Sequence, residues 1–113
     1  RKTGHGRVIS IASTDGKRYR DATASLGYVV TKHALVQLNH AVRFAGWDDG
    51  VRATAICPGA VDTDMIANIP GVTPKAERLK PETLGDVVTF LLGLPNEASV
   101  AEFVANTRLE SSL

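Results

Sequence analysis

The feature that most constrains the fold is one long stretch of helical periodicity between two short apolar runs. Apolar residues recur at the steps expected of one helix face at Leu26, Val29, Val30, Ala34, Leu35, Leu38, Ala41, Val42 and Ala45. The run 8–12 is apolar and rich in β-branched residues, as in a strand buried on both faces of a parallel sheet. The run 51–57 predicts a second strand that stops at Pro58, because proline cannot extend a hydrogen-bonded ladder.

The predicted helix carries a tyrosine one turn before a lysine. Residues four apart share a helix face, so Tyr28 and Lys32 can act on one small site. An ammonium beside a phenol favours the ionised form, which makes Tyr28 a candidate general acid or base. The same pair also arises by chance on solvated helices, so the spacing alone leaves both interpretations open.

Two further segments accompany this pair in a characteristic order. Upstream, the strand 8–12 runs into a loop that carries Ser13, and downstream residues 58–63 read Pro-Gly-Ala-Val-Asp-Thr. A serine after one strand, a YxxxK helix and a PGxVxT turn after the next strand are the active-site segments of the short-chain dehydrogenase/reductase family. The chain resembles that family from about residue 6 to about residue 109.

The resemblance implies a fold and a chemistry. The expected fold class is α/β, namely the C-terminal half of a Rossmann-like doubly wound parallel sheet, with three strands and flanking helices. The expected activity is reversible hydride transfer between NAD or NADP and a small-molecule alcohol or carbonyl substrate. The resemblance to this family also implies that the protein is a homo-oligomer.

The resemblance also assigns roles to residues. Tyr28 would exchange a proton with the substrate oxygen, Ser13 would hydrogen-bond that oxygen, and Lys32 would favour the phenolate and bind the nicotinamide ribose. Thr14 could donate the same bond as Ser13. The expected cofactor-binding residues are Tyr28, Lys32, Pro58, Gly59, Val61 and Thr63. On the residues alone, 58–63 also suits a simple strand-to-helix turn.

The sequence holds no glycine-rich nucleotide fingerprint ahead of the first strand. In the family that fingerprint precedes the catalytic serine, so residues 1–113 are expected to form a single partial domain, the catalytic half without the nucleotide-fingerprint half. We therefore expect this chain alone to be inactive. The alternative, from another class, is a non-enzymatic association module in which the unpaired edge of the strand 8–12 pairs with a second copy.

Composition argues against several other classes. The hydrophobic fraction of 43% and charged fraction of 22% suit a globular domain, and the net charge of +1 gives no electrostatic footprint for nucleic acid or an anionic membrane. No apolar run approaches the about 20 residues of a membrane span. The single cysteine, Cys57, suits a cytoplasmic protein. His5, His33 and His40 have no neighbouring acids, so we predict no metal site and interpret them as ordinary polar residues.

The remaining segments lead to simpler predictions. The loop 13–25, with its polar cluster at 17–21, is either solvated or borders the substrate cleft. Trp47 is interpreted as a packing anchor and not as a platform for a ligand. Residues 65–80 show little periodicity and suit a mobile lid over the substrate. A helix is predicted from Pro81, followed by a last strand at 102–109. The residues of that helix expected to face the core are Leu84, Val87, Val88, Leu91 and Leu92.

Overall fold

The computed structural model describes residues 4–17, 26–59 and 78–107, which form a three-stranded parallel sheet with flanking helices. The elements in chain order are β1 (Gly6–Ile11), α1 (Leu26–Gly46), β2 (Val51–Pro58), α2 (Pro81–Leu92) and β3 (Glu102–Ala105). Short 3-10 helices at Thr14–Gly16 and Trp47–Asp49 follow β1 and α1. The strand order is β1-β2-β3, and both pairings are parallel. The predicted α/β, Rossmann-like fold class is confirmed.

The core lies between α1 and the central strand β2. Ala55 and Cys57 project from β2 against Val36 of α1, and all three are almost completely buried. Because side chains alternate along a strand, Thr54 and Ile56 project to the opposite face of the sheet, and they are buried as well. The central strand is thus covered on both faces.

The prediction that the first strand is buried on both faces is wrong. Val8 is 39% exposed and Ile11 is 44% exposed. Within the described residues β1 pairs with β2 along one side only, so it is an edge strand. The apolar residues of β1 therefore lack the cover that the central strand receives.

The long helix begins and ends close to the predicted positions. Its last residue, Gly46, lies so near β2 that an added Cβ atom would come within 2.6 Å of the Val51 Cβ atom. The chain then turns through Trp47–Asp49 and reverses at Gly50, whose φ of 78° is in the left-handed region that glycine adopts readily. Glycines are therefore needed at both ends of this connection, first for close approach and then for backbone direction.

Trp47, which the sequence suggests as a packing anchor, packs against Arg52 at the protein surface and not in the core. Its side chain is 45% exposed, and the guanidinium carbon of Arg52 lies 3.6 Å from the ring centroid. This distance is within the range of a cation–π contact. The indole therefore stacks with an arginine at the surface, at the end of the sheet where β2 begins.

The second helix is less buried than predicted. It begins at Pro81 as expected, but Leu91 is its one buried residue and Leu92 is 45% exposed. The last strand is also shorter than the predicted 102–109, because its ladder with β2 ends where Ala105 pairs with Pro58. Most of the predicted lid, 65–77, lies outside the described residues. None of the helices in the described parts of the chain is long and apolar enough to cross a membrane.

Candidate active site

A tight turn presents the predicted serine directly after β1. The Ser13 hydroxyl oxygen accepts a hydrogen bond of 3.1 Å from the Asp15 amide, which caps the short helix Thr14–Gly16. The Ser13 carbonyl accepts a second bond of 2.8 Å from the Gly16 amide. A hydroxyl that accepts in this way keeps its own hydrogen for donation to another oxygen. Ser13 and Thr14 are both buried, at 9% and 5% exposure, so Thr14 is not distinguished from Ser13 by burial.

Tyr28 and Lys32 lie one turn apart at the start of α1. The Lys32 Nζ atom is 5.4 Å from the centroid of the Tyr28 ring and donates to the Ile11 carbonyl over 3.5 Å. Ile11 is the last residue of β1, two positions before Ser13. The lysine ammonium therefore lies between the phenol and the end of the strand from which the serine turn departs.

Gly16 allows this turn to lie directly against α1. A Cβ atom at position 16 would be 2.9 Å from the Lys32 carbonyl oxygen and 3.0 Å from the Val36 Cγ2 atom. Both distances are too short for an ordinary Cβ contact. The absence of a side chain at Gly16 is thus the local reason that the serine turn and the helix with Tyr28 and Lys32 are neighbours.

The end of β2 places part of the predicted cofactor turn at the same edge of the sheet. Ile11 pairs with Ile56, and the Ala12 amide donates to the Ile56 carbonyl over 2.7 Å, so Pro58 and Gly59 follow at the carboxyl edge. The Gly59 amide donates to the Ala105 carbonyl over 2.9 Å. Val61 and Thr63, the other predicted cofactor contacts in this turn, lie outside the described residues.

A buried thiol lies one residue before that turn. Cys57 is completely buried, and this burial raises the pKa of its thiol, with a smaller contribution in the same direction from the negative charge of Glu102. A thiol held in its neutral form is a poor nucleophile. Cys57 is therefore a packing residue of the core in this site.

A charged cluster beside the serine turn was missed by the sequence analysis. Lys17 Nζ lies 2.5 Å from one carboxylate oxygen of Glu102, and His40 Nε2 lies 2.6 Å from the other. The hydrogen bond from Lys17 is the main cause that lowers the pKa of Glu102, although partial burial opposes it. The interpretation of His40 as a residue without an acidic neighbour is therefore wrong. No short-range pattern links Lys17, His40 and Glu102, because they come from three separate elements.

This part of the chain shows no metal-binding cluster. Across residues 4–17, 26–59 and 78–107, no three side chains of histidine, cysteine, aspartate or glutamate lie close enough to hold one metal ion. Near the carboxyl end of β1 the described residues offer a hydroxyl, a phenol and an ammonium, which are groups that can donate or exchange protons.

Comparison with known proteins identifies the family to which this α/β chain belongs. The family model for short chain dehydrogenases matches residues 1–71. The chain therefore belongs to the short-chain dehydrogenase/reductase family of oxidoreductases, and the resemblance noted from the three sequence segments is confirmed.

Individual relatives cover nearly all of this chain. Agropine synthesis reductase from Rhizobium rhizogenes is 38% identical over 99 residues, which is 88% of this chain and 22% of that protein. An alcohol dehydrogenase from the archaeon Thermococcus sibiricus, solved with 5-hydroxy-NADP, superimposes with a TM-score of 0.77 at 33% identity, covering 96% of this chain and 46% of that one. A β-ketoacyl-[ACP] reductase from Bacteroides thetaiotaomicron superimposes with a TM-score of 0.71 at 27% identity, and the match covers 93% of this chain and 41% of that one. The chain spans less than half the length of each.

Proposed function

We propose that the complete protein containing this sequence transfers hydride reversibly between NAD or NADP and the alcohol or carbonyl carbon of a small-molecule substrate. The observation that carries this proposal is the position of the Lys32 ammonium between the Tyr28 ring and the end of β1. The names of the relatives, which are reductases and dehydrogenases, support the same reaction class. Residues 1–113 would form the catalytic half of such an enzyme, and we expect a cytoplasmic homo-oligomer.

The proposed proton chemistry follows from the three side chains. When bound, a reduced nicotinamide would supply the hydride to the carbonyl carbon. The Ser13 hydroxyl would donate to the carbonyl oxygen as negative charge develops there, and Tyr28 would give its proton to that oxygen. Lys32 would stabilise the phenolate that Tyr28 becomes, because its charge lies beside the ring. In the oxidation direction the Tyr28 phenolate would take the proton of the alcohol hydroxyl as the alcohol carbon gives up its hydride to the oxidised nicotinamide, and Ser13 would again only hydrogen-bond the oxygen.

The residues present suit the nicotinamide end of a dinucleotide. The Lys32 ammonium contacts the Ile11 carbonyl and the Tyr28 ring, both neutral, so these contacts leave its charge available for ribose hydroxyls. Tyr28 is 44% exposed and therefore accessible to a ligand. Pro58 and Gly59 lie at the neighbouring strand end, where ligands of open α/β sheets bind.

The remaining part of the cofactor has no recognisable cradle in residues 1–113, since the sequence lacks a glycine-rich fingerprint before β1. We therefore propose that this chain alone does not bind the cofactor tightly. Titration of NADH and NADPH into the 113-residue chain, followed by nicotinamide fluorescence, should show no saturation at micromolar concentration. Micromolar binding would contradict this part of the proposal.

Replacement of the phenol tests the function directly. In the complete protein, Tyr28→Phe should lower kcat by about a thousandfold, because a positioned acid or base contributes about 10²–10⁴ in rate. Oxidation of reduced nicotinamide in the presence of a panel of aldehydes and ketones is the assay. Lys32→Met should also lower kcat, whereas Gln37→Met, which places the same side chain at an exposed position of the same helix, should leave it unchanged. Wild-type turnover by Tyr28→Phe would contradict the assigned role.

Among the residues that the structure describes, no strand pairs with the outer edge of β1, and this favours a second candidate function, self-association without catalysis. Val8 and Ile11 are apolar and exposed along this edge, and unpaired apolar edges invite pairing with another chain. If this is correct, light scattering of the 113-residue chain should give a dimer or larger species, and Val8→Lys should yield monomers. Gln37→Lys adds the same charge on an exposed position of α1 and should not dissociate the complex. A monomeric wild-type chain would argue against this function.

A further inference from the structure

We infer that Glu102 is a positioning residue that holds the serine turn at a fixed place relative to α1. The turn consists of residues 13–17, and Glu102 is the first residue of β3, on a different element. The consequence for catalysis rests on the function proposed above, whereas the effect of Glu102 on the turn itself does not.

The first half of this link joins Glu102 to Ser13. Lys17 forms the 2.5 Å ion pair with Glu102 and is also the capping residue of the short helix that Ser13 begins. Its amide donates to the Thr14 carbonyl over 3.0 Å, and the adjacent Gly16 amide donates to the Ser13 carbonyl. A displacement of Lys17 is therefore transmitted to Ser13 through backbone hydrogen bonds within one turn.

The second half of the link joins Glu102 to α1. Arg43 Nη1 lies 3.1 Å from His40 Nδ1, and because a guanidinium group can only donate, His40 Nδ1 accepts this bond. The other ring nitrogen, Nε2, lies 2.6 Å from a Glu102 carboxylate oxygen, and because a carboxylate accepts, Nε2 is the donor of this bond. His40 lies on the same helix as Tyr28 and Lys32, about three and two turns after them.

The contacts of the Glu102 carboxylate are partly buried, unlike those of an ordinary surface ion pair. The side chain of Glu102 is 23% exposed, that of Lys17 is 30% exposed and that of His40 is 24% exposed. Partial shielding of this kind weakens screening by solvent, so the bonds resist displacement more than exposed pairs do. One carboxylate thus ties the serine turn, the helix of Tyr28 and Lys32, and the strand β3 to one another.

Hydrogen exchange of the 113-residue chain measures the positioning effect without any need for activity. In Glu102→Gln we expect the amides of Asp15 and Gly16 to exchange about tenfold faster relative to those of Val36 and Ile56, because the turn opens locally while the core stays closed. Lys17→Met removes only the ion pair between the turn and Glu102 and should give the same result. It replaces Glu102→Gln in this experiment if that variant folds poorly. Glu97→Gln, the same change at an exposed position, should have no effect.

A double-mutant cycle in the complete protein then tests whether Glu102 acts through Ser13. Glu102→Gln should lower kcat by about tenfold with little change in KM, since small misplacements of a catalytic group are costly. In a Ser13→Ala background the same substitution should lower kcat by less than about twofold. An equal loss in both backgrounds would overturn the assignment by showing general structural support. Unchanged exchange of Asp15 and Gly16 in both Glu102→Gln and Lys17→Met would also overturn it, whereas an inactive wild type would count only against the proposed function.

Discussion

Strands β1 and β2 are neighbours in one sheet, are both apolar, and differ sharply in what surrounds them. Ile11 and Ile56 are direct partners in the parallel register, yet Ile56 is completely buried and Ile11 is 44% exposed. The partners Val8 and Ala53 repeat the contrast at 39% and 0% exposure. Position within the sheet therefore decides burial for residues of similar chemistry, since among the described residues β2 has a strand on each side and β1 pairs along one side.

The two strands also differ in role, because β2 contributes mainly to the stability of the fold and β1 mainly to the candidate active site. The central strand supplies the packed core through Ala55 and Cys57, whereas the edge strand leads into the buried Ser13 turn and receives the Lys32 ammonium at its last carbonyl. Substitutions in β2 should therefore act mainly on folding. Substitutions in the serine turn after β1, and of Tyr28 and Lys32 on α1, should act mainly on reactivity.

The two paired isoleucines, Ile11 and Ile56, test most directly whether β1 and β2 contribute differently to stability. Ile56→Ala should lower the free energy of unfolding by about 3 kcal/mol, because truncation of a buried isoleucine loses transfer energy and leaves a cavity. The matched variant Ile11→Ala should lower it by about 1 kcal/mol or less, in keeping with its exposure. Urea unfolding of the 113-residue chain measures both. Equal losses would show that β1 is as well packed as β2.

The glycine just before β2, Gly50, tests the packing at the opposite end of the two strands. Gly50 has a positive φ, and an added Cβ atom would collide with the Gly4 carbonyl group, so Gly50→Ala should cost about 2 kcal/mol. Gly85 in α2 has open space around it, and Gly85→Ala should instead stabilise the chain by about 0.5–1 kcal/mol. Thermal unfolding of both variants provides the measurement. A stable Gly50→Ala protein would mean that the start of β2 tolerates another backbone path.

The smallest expected effect concerns β3, on the other side of the central strand, and depends on pH. The hydrogen bond from Lys17 lowers the pKa of Glu102 in the folded chain, so its stabilisation is present above the pKa of the unfolded state and is lost as pH falls through the folded value. Between pH 7 and acid pH the wild type should lose about 1 kcal/mol more stability than Glu102→Gln. Urea unfolding across this pH range should show parallel curves if Glu102 contributes nothing.

Local patterns predicted much of the fold. The bounds of α1, the start of α2 at Pro81 and the central strand all followed from periodicity, proline and β-branched residues. The spacing of Tyr28 and Lys32 also placed them together, because one helical turn fixes their separation. The same reasoning overestimated the burial of β1 and α2. Periodicity shows which residues would face a core, but not whether another element covers them.

The charge cluster shows why the rest of the site was not predictable. His40 and Glu102 are 62 positions apart, and only the parallel pairing of β3 with β2 brings the glutamate beside α1. In the sequence, Lys17 belongs to a polar cluster that is either solvated or borders the substrate cleft, and His40 is interpreted as an ordinary polar residue on a helix. Their shared carboxylate becomes apparent only when three separate elements are packed together.

By itself, the sequence determined the class of fold, the family and the local pairing of Tyr28 with Lys32, because these depend on residue type and on spacings of a few positions. The tertiary structure decided which apolar strand is buried, how Gly16 brings the serine turn against α1, and which residues Glu102 joins. These features depend on contacts between distant parts of the chain, whose formation reflects the packing of whole elements rather than any local preference.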